Sequence, residues 1–111
     1  NRRLLLDIED ADGMTLDTGG NVWITGFRTS HLIRIAPDGS RLPPVPTPPG
    51  SITQVRFGGA DGCDVFINTV PAEGGDTLKE GGAITEARSV LYRGRSAVPG
   101  LRIPPARFRL G

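Results

Sequence analysis

Asp12 is the residue whose type and position best suit chemistry. It lies in the segment ADGMTLDTGGNVWITGF (residues 11–27), where an acidic-glycine turn precedes two short β-type runs separated by the reversal TGGN. Such a pattern predicts a hairpin. A carboxylate just before the first strand is placed to project from the strand's mouth, and carboxylate oxygens are ligands that Ca²⁺ and Mg²⁺ prefer. Taken alone, the pattern favours a simpler role for Asp12, an Asx turn that satisfies nearby backbone N–H groups.

Composition limits the class of protein. The chain has 111 residues and a formal net charge of +1, so charge gives no reason to expect nucleic acid or an anionic membrane as partner. No apolar run approaches the roughly 20 residues of a membrane helix and no signal-peptide pattern is present, so we expect no membrane partner and a cytoplasmic location. With 16 Gly, 10 Pro and no helical stripe, the chain is predicted to be all-β.

The first half of the chain predicts a meander of four short strands. The hairpin runs (residues 14–17 and 22–27) are followed by HLIRI (31–35), whose alternation places Leu32 and Arg34 on one face and His31, Ile33 and Ile35 on the other. The turn PDGS leads to RLPPV (41–45), whose two prolines are tolerated only at a sheet edge. The segment PTPPG (46–50) then predicts a rigid connector.

The pattern then begins again. SITQVRF (51–57) and DVFINTV (64–70) flank a glycine-rich reversal, and VWIT (22–25) aligns with VFIN (65–68) at a period of 43 residues. A loop rich in glycine and acids (71–82) follows, and SVLYR (89–93) is preferred over AIT (83–85) as a third strand. A repeat of this length is typical of the four-stranded blade of a β-propeller, although coincidence in a Gly-rich β protein is the competing interpretation.

Two blades alone would leave two large apolar faces without a packing partner. Blade one spans about residues 12–46, blade two about 51–93 and a C-terminal tail 94–111, all within one partial β-propeller region over residues 1–111. Because repeat units need stacking partners, we expect two consecutive four-stranded antiparallel blades from the C-terminal part of a six-bladed propeller, partnered by N-terminal blades of the same protein. The second blade is expected to lack its outermost strand in this chain, since residues 98–111 contain no convincing fourth strand. The apolar run at residues 4–8 is either the tail of an earlier strand or a frayed terminus.

Other candidate residues are weaker. Thr53 occupies the position in the second copy that Asp12 occupies in the first, so it is a candidate for lining the channel, although a plain strand role is favoured. His31 is the only histidine, which leaves no Ser-His-Asp triad, and a solvated loop position is favoured for it. Cys63 excludes an internal disulfide and suits a passive thiol. Trp23 suits packing between blades. Turn positions are predicted for Asp17, Asp38, Asp61 and Asp64, and solvated loop positions for Glu73, Asp76 and Glu80.

The segment DGMTLD (12–17) followed by GNVWI (20–24) resembles the gluconolactonase and senescence-marker-protein (regucalcin-like) family, with Ala11 in place of the family's proline. LIRI with PDG (32–39), FGG (57–59) before VFINT, and Gly81-Gly82 extend the resemblance over nearly the whole chain. It implies a six-bladed propeller with one divalent metal in its central channel, and hydrolysis of a sugar lactone or related cyclic ester. Ca²⁺ is the expected metal, with Mg²⁺, Zn²⁺ or Mn²⁺ as alternatives.

The resemblance also assigns roles. Asp12 matches a metal ligand of the family and is implied to accept a proton from a metal-bound water, while the Glu and Asn ligands have no counterpart in this chain. One carboxylate does not make a three-ligand site, so this chain alone is expected to be inactive. Thr53 and His31 remain weak candidates for substrate binding. The alternative is a non-catalytic β-propeller that serves as a scaffold or ligand-binding protein, and a third is a small β protein made by self-association.

Overall fold

The computed structural model describes residues 2–71, 80–81 and 89–104, and these form two antiparallel sheets of three strands each. Sheet one contains β1 (Ala11–Leu16), β2 (Val22–Gly26) and β3 (Leu32–Ile35). Sheet two contains β4 (Ser51–Gly58), β5 (Asp64–Val70) and β6 (Val90–Arg95). Strands lie in chain order within each sheet, which confirms the predicted all-β class. Within these ranges no helix is long and apolar enough to cross a membrane.

The predicted hairpin is present at β1 and β2. Leu16 pairs with Val22, and the turn between them closes through a 3.0 Å bond from Gly20 N to Asp17 O. Gly20 has a φ of +78°, a conformation that a residue with a Cβ rarely adopts, so glycine is required at this point of the turn. The local sequence TGGN therefore fixes both the position and the tightness of the reversal.

The fourth strand predicted for blade one is wrong, since sheet one has three strands. Sheet two also has three strands among the described residues, in agreement with the missing outermost strand expected for the second unit. RLPPV (41–45) contributes only isolated bridges, from Arg41 to Ile35 and from Val45 to Leu32. Pro43 and Pro44 lie between the bridges and have no N–H to donate, which explains why no continuous ladder forms. In sheet two the predicted third strand is confirmed and runs to Arg95; the alternative at residues 83–85 lies outside the described residues.

The core lies between the two sheets. Its fully enclosed side chains are Trp23, Leu32, Ile52, Val55, Val65 and Ile67. The Trp23 ring meets the Phe57 ring edge-on, with centroids 5.1 Å apart and an interplanar angle of 82°. This geometry suits the aromatic quadrupoles and places the tryptophan between the sheets, as predicted. The apolar run at residues 4–8 forms no strand, and Leu4 is 77% exposed.

The C-terminal tail joins the hairpin turns of the two sheets. Thr18 N donates to Pro99 O at 2.8 Å, and Leu101 N donates to Leu16 O at 2.9 Å. Gly100 N donates to Gly62 O at 2.9 Å, so the same short segment bonds to both turns. The tail therefore holds together the ends of the sheets that lie opposite Asp12.

Asp17 is predicted as a turn residue, and the structure shows that it is also a buried hub. Its side chain is 2% exposed and accepts bonds from Trp23 Nε1 at 2.9 Å and from Asn21 N and Nδ2. Burial opposes ionisation of this carboxyl, but the bonds from Trp23 and Asn21 outweigh it and hold the pKa of Asp17 below its ordinary value. The ionised carboxylate thus fixes the rotamer of the core tryptophan.

We predict that Asp17→Asn lowers the free energy of unfolding near pH 7 by about 1–3 kcal/mol, because an amide cannot accept all the same bonds. The pKa of Asp17 is lower in the folded state than the roughly 3.9 of an unfolded chain, so its stabilisation is complete above that value and is lost as pH falls through the folded pKa. The stability gap between the variant and the wild-type chain should therefore narrow below about pH 4. Urea unfolding at several pH values measures it, with the exposed Asp7→Asn as a control for charge loss. A gap that is independent of pH would contradict this assignment.

Candidate functional site

Asp12 lies in an irregularity of β1. Ala11 pairs with Gly26 and Met14 pairs with Ile24, so Asp12 and Gly13 together oppose the single residue Thr25. Two residues facing one is the pairing of a β-bulge, which bends the strand and redirects its side chains. The bulge is at the beginning of β1, which is where the sequence predicts that Asp12 leaves the core.

Thr25 bonds to the backbone inside this bulge. Gly13 N donates to Thr25 Oγ1 at 2.8 Å, and Thr25 Oγ1 donates to Gly13 O at 3.2 Å. Thr25 is 0% exposed, so the hydroxyl provides partners that water cannot provide at this position. The side chain thus replaces the ladder bonds that the bulge interrupts.

Gly13 also seats the bulge against sheet two. A Cβ at this position would lie 2.8 Å from Thr53 O and 2.9 Å from the Gln54 Cα, and would overlap Gln54 Oε1. Two of these three atoms belong to backbone or to its Cα, which cannot move aside cheaply. The beginnings of β1 and β4 therefore touch because residue 13 lacks a side chain.

Asp12 differs from the aspartates on either side of it along the chain. Asp10 is 8% exposed, and its Oδ2 accepts bonds from Arg28 N at 2.7 Å and Thr29 N at 2.8 Å. Asp12 is exposed and accepts no hydrogen bond from any residue that the structure describes. The turn-capping role that the pattern of residues favours for Asp12 is thus performed by Asp10, and no described residue bonds to the Asp12 carboxylate.

Thr53 occupies the corresponding bulge of sheet two. Ile52 pairs with Thr69 and Gln54 with Asn68, so Thr53 is the extra residue of β4, just as Asp12 belongs to the bulge of β1. Thr53 Oγ1 donates to Asn68 O at 3.2 Å and accepts from Asn68 Nδ2 at 2.9 Å. The predicted equivalence of Thr53 and Asp12 matches this pairing, but the Thr53 hydroxyl is engaged within its own sheet.

Arg56 and Gln54 are neighbours of this site that the sequence analysis does not identify. Arg56 Nη1 donates to Met14 O on β1 at 2.6 Å and to Gln54 Oε1 at 2.7 Å. Both residues lie on one face of β4, alternating with Val55 and Phe57, which point into the core. The polar alternation in TQVRF was the available signal, but nothing in the sequence indicated that the arginine reaches the other sheet.

His31 immediately precedes β3. Its backbone oxygen accepts from Gly26 N at 2.8 Å, and its side chain lines a cavity of about 560 Å³. The ionisable side chains that share this cavity are Glu9, Asp10, Arg28 and Arg41. Asp12 is not among the residues that line this cavity.

The donor set is that of one ligand rather than of a complete metal centre. Among the described residues no group of three His, Cys, Asp or Glu side chains is placed to hold a metal ion. Asp61 and Asp64 form salt bridges with the Arg95 guanidinium at 2.6 Å and 2.8 Å, so both carboxylates are already paired. A free, exposed carboxylate does fit a hard divalent cation as one of several oxygen ligands, and Asp12 supplies it.

Two packed three-stranded sheets, each with a bulge at the start of its first strand, define an all-β protein with a repeated unit. Residues 1–71 match the model of the SMP-30/Gluconolactonase/LRE-like region. The chain belongs to this family, which confirms the assignment made from the residues.

The similar proteins are longer than this chain. Pentonolactonase XacC of Haloferax volcanii is 30% identical over 83 residues, which are 74% of this chain and 28% of that protein. Regucalcin of Danio rerio is 38% identical over 74 residues, 62% of this chain and 25% of that protein. This chain therefore spans about a quarter of the length of these relatives.

A solved structure shares the fold. A structure of luciferin-regenerating enzyme superposes with a TM-score of 0.60 over 82% of this chain and 30% of that chain. At 24% sequence identity, this likeness shows the fold alone.

We predict that Gly13→Ala lowers the free energy of unfolding by about 1–3 kcal/mol, because the added methyl group would overlap the β4 backbone. Gly94→Ala is the matched control: it lies in β6 and a Cβ there meets nothing within 4 Å. The control should raise the free energy of unfolding by less than about 1 kcal/mol or leave it unchanged. Urea unfolding of both variants measures the difference, and equal effects would show that the contact between β1 and β4 is not tight.

Proposed function

We propose that this chain forms two consecutive blades of a six-bladed β-propeller that hydrolyses a sugar lactone or a related cyclic ester. Asp12 supplies one ligand to a divalent metal, with Ca²⁺ as the first choice. The observation that carries the proposal is the state of the Asp12 carboxylate, which is exposed at a bulge beside sheet two and free of bonds from the described residues. The match to a pentonolactonase supports the reaction class.

The faces of sheet one support the propeller arrangement. One face packs on sheet two through Trp23 and Leu32. The other face is wholly apolar, and its residues are Met14, Leu16, Val22, Ile24, Ile33 and Ile35. Met14 is 56% exposed and Leu16 36% exposed, so this face is only partly covered by the described residues. A further blade of the same protein is the partner that would bury it.

In this arrangement the residues of the chain have defined roles. Asp12 offers oxygen atoms to the cation, and the same carboxylate is placed to accept a proton at one of those atoms. A bound divalent cation supplies polarisation of an ester carbonyl and a lower pKa for a bound water. The remaining ligands and most substrate contacts come from other blades, so the two described sheets hold only part of the site.

We predict that, in the complete protein, Asp12→Asn lowers kcat/KM for a sugar lactone by at least about 100-fold and weakens Ca²⁺ binding by at least about tenfold. The stability of the metal-free protein should change by less than about 0.5 kcal/mol, because the carboxylate makes no internal bond to the described residues. Asp38→Asn is the control, since Asp38 is an exposed turn residue at the opposite end of the strands. Lactone hydrolysis, calorimetry with Ca²⁺ and thermal unfolding are the three measurements.

Each outcome has a separate meaning. Retained hydrolysis in Asp12→Asn would remove Asp12 from the mechanism. A wild-type protein that binds Ca²⁺ through Asp12 but hydrolyses no lactone would favour the alternative, a non-catalytic propeller that binds a ligand.

A further inference from the structure

The equivalent bulges of the two sheets are held by hydrogen bonds from side chains at different positions. In sheet two the first residue of the bulge, Thr53, bonds with its own side chain to Asn68 on the neighbouring strand. In sheet one the neighbouring strand provides the side chain, because Thr25 bonds to both backbone groups of Gly13. As a result, the Thr53 side chain is engaged in hydrogen bonds within its own sheet, whereas the Asp12 side chain makes none with the described residues.

The backbone on both sides of Asp12 is held. Asp10 is fixed by bonds from Arg28 N and Thr29 N. Gly13 is fixed by Thr25, and Met14 O accepts a 2.6 Å bond from Arg56 across the gap between the sheets. Asp12 is therefore a free side chain on a backbone that is anchored immediately before and after it.

We propose that Thr25 is a positioning residue for Asp12, which rests on the proposed role of Asp12 as a metal ligand. The Thr25 hydroxyl holds the bulge closed, so the carboxylate is presented to the cation without using its own oxygens to hold its position. Because the backbone at Asp12 is already ordered, binding a cation costs little backbone entropy, and loss of a group that orients a ligand typically costs about 10–100-fold in metal affinity.

The test compares three variants of the complete protein. Thr25→Val keeps the shape and removes the hydroxyl, and it should weaken Ca²⁺ binding by about tenfold or more. Thr25→Ser keeps the hydroxyl and should bind Ca²⁺ within about threefold of wild type. Thr69→Val is the matched control, because Thr69 is an equally buried threonine (2% exposed) on β5 of the other sheet, and its Ca²⁺ affinity should equal that of wild type. Calorimetry with Ca²⁺ alone measures all three.

A second measurement needs no variant. In the wild-type protein, NMR hydrogen exchange should show a protected Gly13 amide, since its partner hydroxyl is fully buried. A Gly13 amide that exchanges as fast as an exposed glycine overturns the proposal even if Thr25→Val does not fold.

The failures are distinguishable. Wild-type Ca²⁺ affinity in Thr25→Val, together with lost affinity in Asp12→Asn, would overturn the positioning role and leave the proposed function standing. Equal losses in Thr25→Val and Thr25→Ser, or in Thr25→Val and Thr69→Val, would overturn it as well, because the hydroxyl at position 25 would then have no special effect. Retained affinity in Asp12→Asn would overturn the proposed function itself.

Discussion

The close approach of β1 to β4 at Gly13 is the constraint on which the rest of the structure depends. At this point the two sheets touch through backbone, while on β2 and β3 the large side chains of Trp23 and Leu32 fill the space between them. The bulge that carries Asp12 lies beside this contact, at the beginning of β1.

Three aspartates within eight positions have three different fates, and hydrogen bonding separates them. Asp10 accepts two backbone N–H bonds from the turn after β2, and Asp17 accepts bonds from Trp23 and Asn21. Both carboxylates are buried and maintain the fold. Asp12 has neither role in the described structure. Residue type alone does not distinguish these positions; the fold does, since it decides which carboxylate faces buried or partly buried N–H groups.

The sequence predicts the strands and their faces well because both depend on local periodicity. The alternation in HLIRI correctly separates Leu32 from Ile33 and Ile35, and the aligned VWIT and VFIN segments do form equivalent strands. Two features could not be predicted this way. The fourth strand fails because RLPPV lacks the N–H donors at two successive positions. The polar contacts around Asp12 depend on tertiary packing, so nothing in the sequence indicated that Thr25 bonds to the bulge or that Arg56 reaches the other sheet.

The hydrogen bonds that an aspartate already makes affect how much free energy a cation gains by binding to it. A carboxylate that already accepts internal bonds must give them up or share them with a cation, and leaving each buried donor unpaired costs about 1–3 kcal/mol. Asp10 and Asp17 would both meet this cost, because their partners include buried or partly buried N–H groups. Asp12 meets none of it among the described residues, since the backbone bonds of the bulge hold its position instead. In the proposed metal site, the backbone of the bulge would hold Asp12 in position, and both carboxylate oxygens would remain available to the cation.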